Sequence, residues 1–208
     1  NMKYKTLAEL TSKLASLYGS SVYADVKKRG DIQVLSVGAS WLDNAYALEN
    51  EDITSEMLEI VSDCIFRPNA DGKSFDEASF NIRKNDLLDK IDAEINNKRG
   101  YAVSQAFETA FRGEPAEYSC YGKKAQAEAS TSASAYKAYL ELLKNAQIEI
   151  FFVSPQENNS VKEKLAAEFA AIERSAPKTY RFTSNSKAKS AAEYAEEKLD
   201  VNQSKMVL

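Results

Sequence analysis

Histidine is absent from all 208 residues of this chain. Its absence removes the ordinary general base at neutral pH and the commonest nitrogen ligand for metals. Histidine triads, thiol–histidine dyads and histidine-ligated metal centres are therefore excluded for these residues. Cysteine is nearly as scarce. Cys64 and Cys120 stand far apart with no CxxC spacing, so they read as two reduced thiols. The seven glycines are scattered singly, leaving no GxGxxG and no GxxxxGK[ST] loop to cradle a phosphate. No apolar run approaches the ~18 residues of a membrane span. The opening Asn1-Met2-Lys3-Tyr4-Lys5 has no signal-peptide core behind it. A cytoplasmic protein that does not enter the membrane is the expectation.

What is present fits an ordinary packed domain. Hydrophobic residues make up 44% and aromatics 10% of the chain, and a chain this long buries roughly 70% of its unfolded surface. The 27 basic and 31 acidic residues are well mixed and sum to −4. Without a concentrated basic stripe, nucleic acid is not an expected partner.

Local signals divide the chain into elements. Thr6-Leu7-Ala8-Glu9 is a capping box, opening a helix with Leu7, Leu10, Leu14 and Leu17 at helical spacing. Tyr18-Gly19 closes it, with glycine suited to the left-handed terminal conformation. Residues 21–26 alternate as a strand, 27–31 form a polar turn, and 32–41 return as a longer strand. On that return strand Leu35, Val37, Ala39 and Trp41 share one face, expected against helices. The other face carries Ile32 and Val34, then the small residues Ser36, Gly38 and Ser40, which could admit an extended peptide. Helices are expected over 53–66, 75–96 and 99–111, the long one opened by the box Ser74-Phe75-Asp76-Glu77. Residues 113–129 are the least regular. Thr131 caps a helix reaching about 145. Residues 148–153 read as an apolar strand, and Ser160-Val161-Lys162-Glu163 as the box of a last helix. A polar tail begins at Pro177, and Lys205-Met206-Val207-Leu208 resembles the start of a strand. The order β-β-α-α-α-α-β-α lacks regular βαβ alternation. It predicts an α+β fold, a mostly antiparallel sheet with helices packed on one face. Residues 1–176 are expected to form one such domain and 177–208 a linker or tail.

Side chains that could carry chemistry are few. Asp86, Asp89 and Asp92 recur at i, i+3 and i+6, which suits a solvated helix face. Glu49, Glu51 and Asp52 precede a helix, where carboxylates favour the positive end of its dipole. Tyr118 and Tyr121 flank Cys120 either as an exposed recognition patch or as cover for a core.

Taken in order, these elements resemble the insulinase/pitrilysin/mitochondrial-processing-peptidase metallopeptidases, and above all their bacterial non-catalytic members. The carriers are Leu17-Tyr18-Gly19-Ser20 before the hairpin, Phe75 and Glu77 leading the long helix, and Asn96-Asn97-Lys98-Arg99-Gly100-Tyr101-Ala102 between two helices. Glu117-Tyr118, Gly122, Thr131, Tyr136, Tyr139, Ile148-Glu149-Ile150-Phe151-Phe152-Val153 and the closing Gln203-Ser204-Lys205-Met206-Val207-Leu208 continue the match.

The resemblance implies a LuxS/processing-peptidase-like half-domain, incomplete at its N-terminus. Active members carry His-x-x-Glu-His, whose position would fall upstream of residue 1, and a third zinc ligand, a glutamate, on a later helix. Counting back from Asn96-Asn97 puts that third position at Lys90, or at Asp89 with a shift of one residue. A lysine ammonium offers zinc no lone pair. The resemblance therefore implies no catalytic residue, no metal and no cofactor. Its implied partners are a peptidase-like subunit or second half-domain, and an extended peptide along a sheet edge near Ser36, Gly38 and Ser40. Two other readings stay open: part of an active zinc peptidase whose histidine motif lies outside this chain, and an unrelated α+β interaction domain.

Overall fold

The computed structural model describes residues 1–155, 157–176, 191–200 and 202–207. Among these lie α1 (Leu7–Ser16), β1 (Ser21–Arg29), β2 (Ile32–Ser40), α2 (Ile53–Phe66), α3 (Glu77–Ala93), α4 (Lys98–Ala110), α5 (Lys124–Ala129), α6 (Ser132–Asn145) and α7 (Asn159–Ala170). The fold is α+β, and its sheet among the described residues is the two-stranded hairpin β1–β2. No helix among the described residues is long and apolar enough to cross a membrane.

The chain divides into two compact units. The first comprises Asn1–Asp25, Ser36–Glu77 and the described residues of Thr131–Thr179; the second comprises Val26–Leu35, Ala78–Ser130 and the described residues of Tyr180–Leu208. The boundary expected at 176/177 falls beside residues outside those described. Of the expected tail, residues 191–200 and 202–207 are described and contain no helix or strand. The strand start expected at Lys205 is accordingly not formed over 205–207.

The first unit is built on local signals that converge on one core. Thr6 and Glu9 form the capping box of α1 in both directions. Just beyond the helix the chain turns away through Tyr18 and Gly19, both left-handed, with φ of 57° and 73°. Left-handed geometry costs a side-chain-bearing residue roughly 1–2 kcal/mol. The Tyr18 hydroxyl helps to hold it, donating to Glu51 Oε1 at 2.8 Å and accepting from Leu48 N at 3.0 Å. Asp52 caps α2 by accepting from Ser55 N, so the acidic cluster before this helix includes its cap. Leu17, Ile53, Met57 and Ile60 are buried together, with Leu10, Leu14, Val22, Ala39, Trp41 and Leu42 packed around them. Farther along, Phe75 stands edge-on to Tyr136 at 5.2 Å, and Phe66 edge-on to Phe169 at 4.9 Å. Tyr139 donates to Ile65 O at 2.5 Å, and burial pushes its phenol up to about 12.

Several expected boundaries move for identifiable reasons. The long helix opens at Glu77 rather than 75, because 69–76 fold into a tight turn. In it Asp71 Oδ1 accepts from Lys73 N and Ser74 N, Asp71 N donates to Ser74 O, and Asp76 N donates to Asn69 O. The same helix stops at Ala93 and gives way to a single 3-10 turn over Glu94–Asn96. Asn97 then caps α4 by accepting from Gly100 N. A Cβ on Gly100 would lie 2.8 Å from the Asn97 amide nitrogen, which accounts for glycine at that junction. The last helix is capped by Asn158, not Ser160: Asn158 accepts from Val161 N, and Ser160 merely donates to Asn158 Oδ1 at 2.7 Å.

The largest correction concerns residues 148–153. They carry no strand, and no backbone hydrogen bond joins them to another described residue. Apolar, β-favouring composition is compatible with a strand, but a strand exists only beside a neighbour. The helix α5 was not anticipated in the irregular stretch. Lys84 helps to end it by donating to Glu128 O and Ser130 O at 2.6 and 2.9 Å.

Candidate functional site

The candidate positions fall on two surfaces of the first unit and one helix of the second. On the hairpin, the loop of Gly30 and Asp31 is two residues long, which sets Arg29 opposite Ile32 and hence Tyr23 opposite Gly38. A Cβ at Gly38 would sit 2.3 Å from the Tyr23 ring. Gly38 is thus small because Tyr23 lies across it. Ser36 and Ser40 on either side are exposed. The small-residue face is therefore open at its two serines and roofed by an aromatic ring at its centre. Sequence reasoning placed the turn over 27–31 and missed this pairing, although a Gly-Asp turn would have revealed it.

The opposite face of β2 behaves differently along its length. Ala39 packs on the core with Trp41 just beyond the strand, whereas Leu35 and Val37 are exposed. Trp41 Nε1 donates to Thr54 Oγ1 at 3.1 Å, and its ring lies 6.1 Å from Phe152.

That aromatic contact leads to the second surface. Residues 148–153 present Phe151 and Val153 to solvent at 85% and 94% of their accessible area. Beside them is a groove of about 670 Å³, lined by Ile150, Phe152, Val153, Pro155, Val161 and Leu165 among others. Large side chains this exposed, beside backbone that is unpaired among the described residues, are unusual on an isolated domain.

On the helix of the second unit, Lys90 is exposed in the last turn of α3. A cation there complements the negative end of the helix dipole. The expected third-ligand position thus holds a helix-terminal ammonium, and its neighbour Asp89 is exposed. Of the other two aspartates in that series, Asp86 pairs with Arg83 at 3.0 Å and Asp92 with Lys124 at 2.6 Å. No cluster of His, Cys, Asp or Glu that could hold a metal occurs among the described residues. Cys64 and Cys120 are both free and half-buried. Tyr118 and Tyr121 are exposed, and Lys123 Nζ sits 4.9 Å over the Tyr118 ring. Lys123 also pairs with Glu117 at 2.8 Å. That pairing and the donation from Gly113 N hold the Glu117 carboxyl below its ordinary range.

Comparison with known proteins locates this architecture. No protein-family model matches the chain. In fold, it is similar to the crystal structure of a conserved protein from Enterococcus faecalis V583, with a TM-score of 0.64 and 23% identity over 69% of this chain and 34% of that one. In sequence, it is similar to the probable inactive metalloprotease YmfF of Bacillus subtilis (strain 168), 23% identical over 167 residues. That alignment takes in 80% of this chain and 39% of the relative, so the chain spans well under half of the relative's length.

Proposed function

We propose that this chain is a non-catalytic metallopeptidase-like domain of the insulinase/pitrilysin/processing-peptidase type, and that it works by holding a partner. The observation that carries this reading is the likeness to a probable inactive metalloprotease across 80% of the chain. Two features of the residues agree with it. The chain has no histidine to bind zinc or act as a base, and Lys90 stands where the resemblance calls for a ligating glutamate. An ammonium there repels a cation.

The partner is a second peptidase-like half or subunit, and its docking surface is the exposed apolar run 148–153 with the adjoining groove. Backbone of 148–153 that is unpaired among the described residues, beside exposed Phe151 and Val153, suits association by strand addition, in which main-chain bonds hold and apolar pockets select. An extended peptide is the second ligand, laid along the hairpin near Ser36, Gly38 and Ser40. The Tyr23 ring over Gly38 gives that peptide an aromatic platform in place of a bare backbone.

The test is zinc content and peptide hydrolysis, measured on the protein alone and mixed with a metallopeptidase-like protein from the same source. Hydrolysis confined to the mixture, with the zinc on the other protein, is the expected result. Zinc and hydrolysis in this protein alone would overturn the proposal.

A further inference from the structure

We draw no further inference here: the strongest candidate, the exposed apolar face of α4 in the second unit at Val103 and Phe107, carries nothing because nothing in the structure shows what covers it.

Discussion

The two units of this molecule are held together by different physics. The first buries Leu17, Ile53, Met57, Leu58, Ile60 and Val161 almost completely. In the second, Ala127 alone reaches comparable burial among the described hydrophobic residues, while Ile82 and Phe107 remain 61% and 52% exposed. Polar contacts do more of the holding there. Gln33 donates to Cys120 O at 2.9 Å, Lys28 to Pro115 O at 2.5 Å, and Lys124 pairs with Asp92. A fully buried Leu, Ile or Met side chain contributes about 1.5–3 kcal/mol, whereas an exposed ion pair contributes about 0–1 kcal/mol. Helices of similar length thus rest on foundations of unequal strength.

The sharpest way to break this contrast is a pair of truncations. Met57→Ala should cost about 2–5 kcal/mol in urea denaturation, since it opens a cavity in a closed core. Phe107→Ala should cost under about 1 kcal/mol, because its ring is already half in water. Equal losses would mean that the second unit has a core after all.

Acidification tests the caps of the first unit. Asp52 is held below the ordinary carboxylate range by hydrogen bonds from Ser55 and Asn44. A lowered folded-state value means that its contribution is fully present above the unfolded value and is lost as pH falls through the folded one. Asp52→Ala should therefore remove about 1 kcal/mol at neutral pH and flatten the loss of stability in acid. An unchanged acid profile would show that this carboxylate does not support α2.

Burial can also count against the first unit. The Ser62 hydroxyl on α2 is buried with no hydrogen-bond partner among the described residues, a desolvation cost of roughly 1–3 kcal/mol. Ser62→Ala should raise the denaturation midpoint by the equivalent of about 1 kcal/mol. A fall would mean that the hydroxyl is satisfied in solution. The smallest effect belongs to the second unit: Lys124→Ala should lower the denaturation midpoint only slightly, and only at low salt. A salt-independent loss would assign Lys124 a packing role instead.

Much of the helical architecture was legible because its causes are local. The hydroxyl of Thr6 with Glu9 and the hydroxyl of Thr131 announce α1 and α6 at the residues where they begin. The span of α2 is also readable, from the apolar Met57, Leu58, Val61, Ile65 and Phe66 and the stop at Arg67-Pro68. Less legible were features in which one segment competes with another. Ser74 looked like a helix cap until Asp71 engaged its amide, and Ser160 until Asn158 stood in its place. Of the candidate site, composition alone disclosed the missing histidine and the small stripe Ser36, Gly38 and Ser40, but not the Tyr23 ring that roofs its centre.

The sequence by itself determined where α1, α2 and α6 start, which stripes are apolar, and that no histidine chemistry is available, since each depends on residue type and spacing of a few positions. Tertiary structure decided which apolar stripes find a neighbour. Met57 is fully buried, whereas Phe107, its ring beside Phe111 at 5.5 Å, stays 52% exposed, although both are large apolar residues on amphipathic helices. Residues 148–153, for all their β-favouring side chains, found no strand to pair with among the described residues. Burial and strand pairing are properties of two segments at once, and no single stretch of chain carries them.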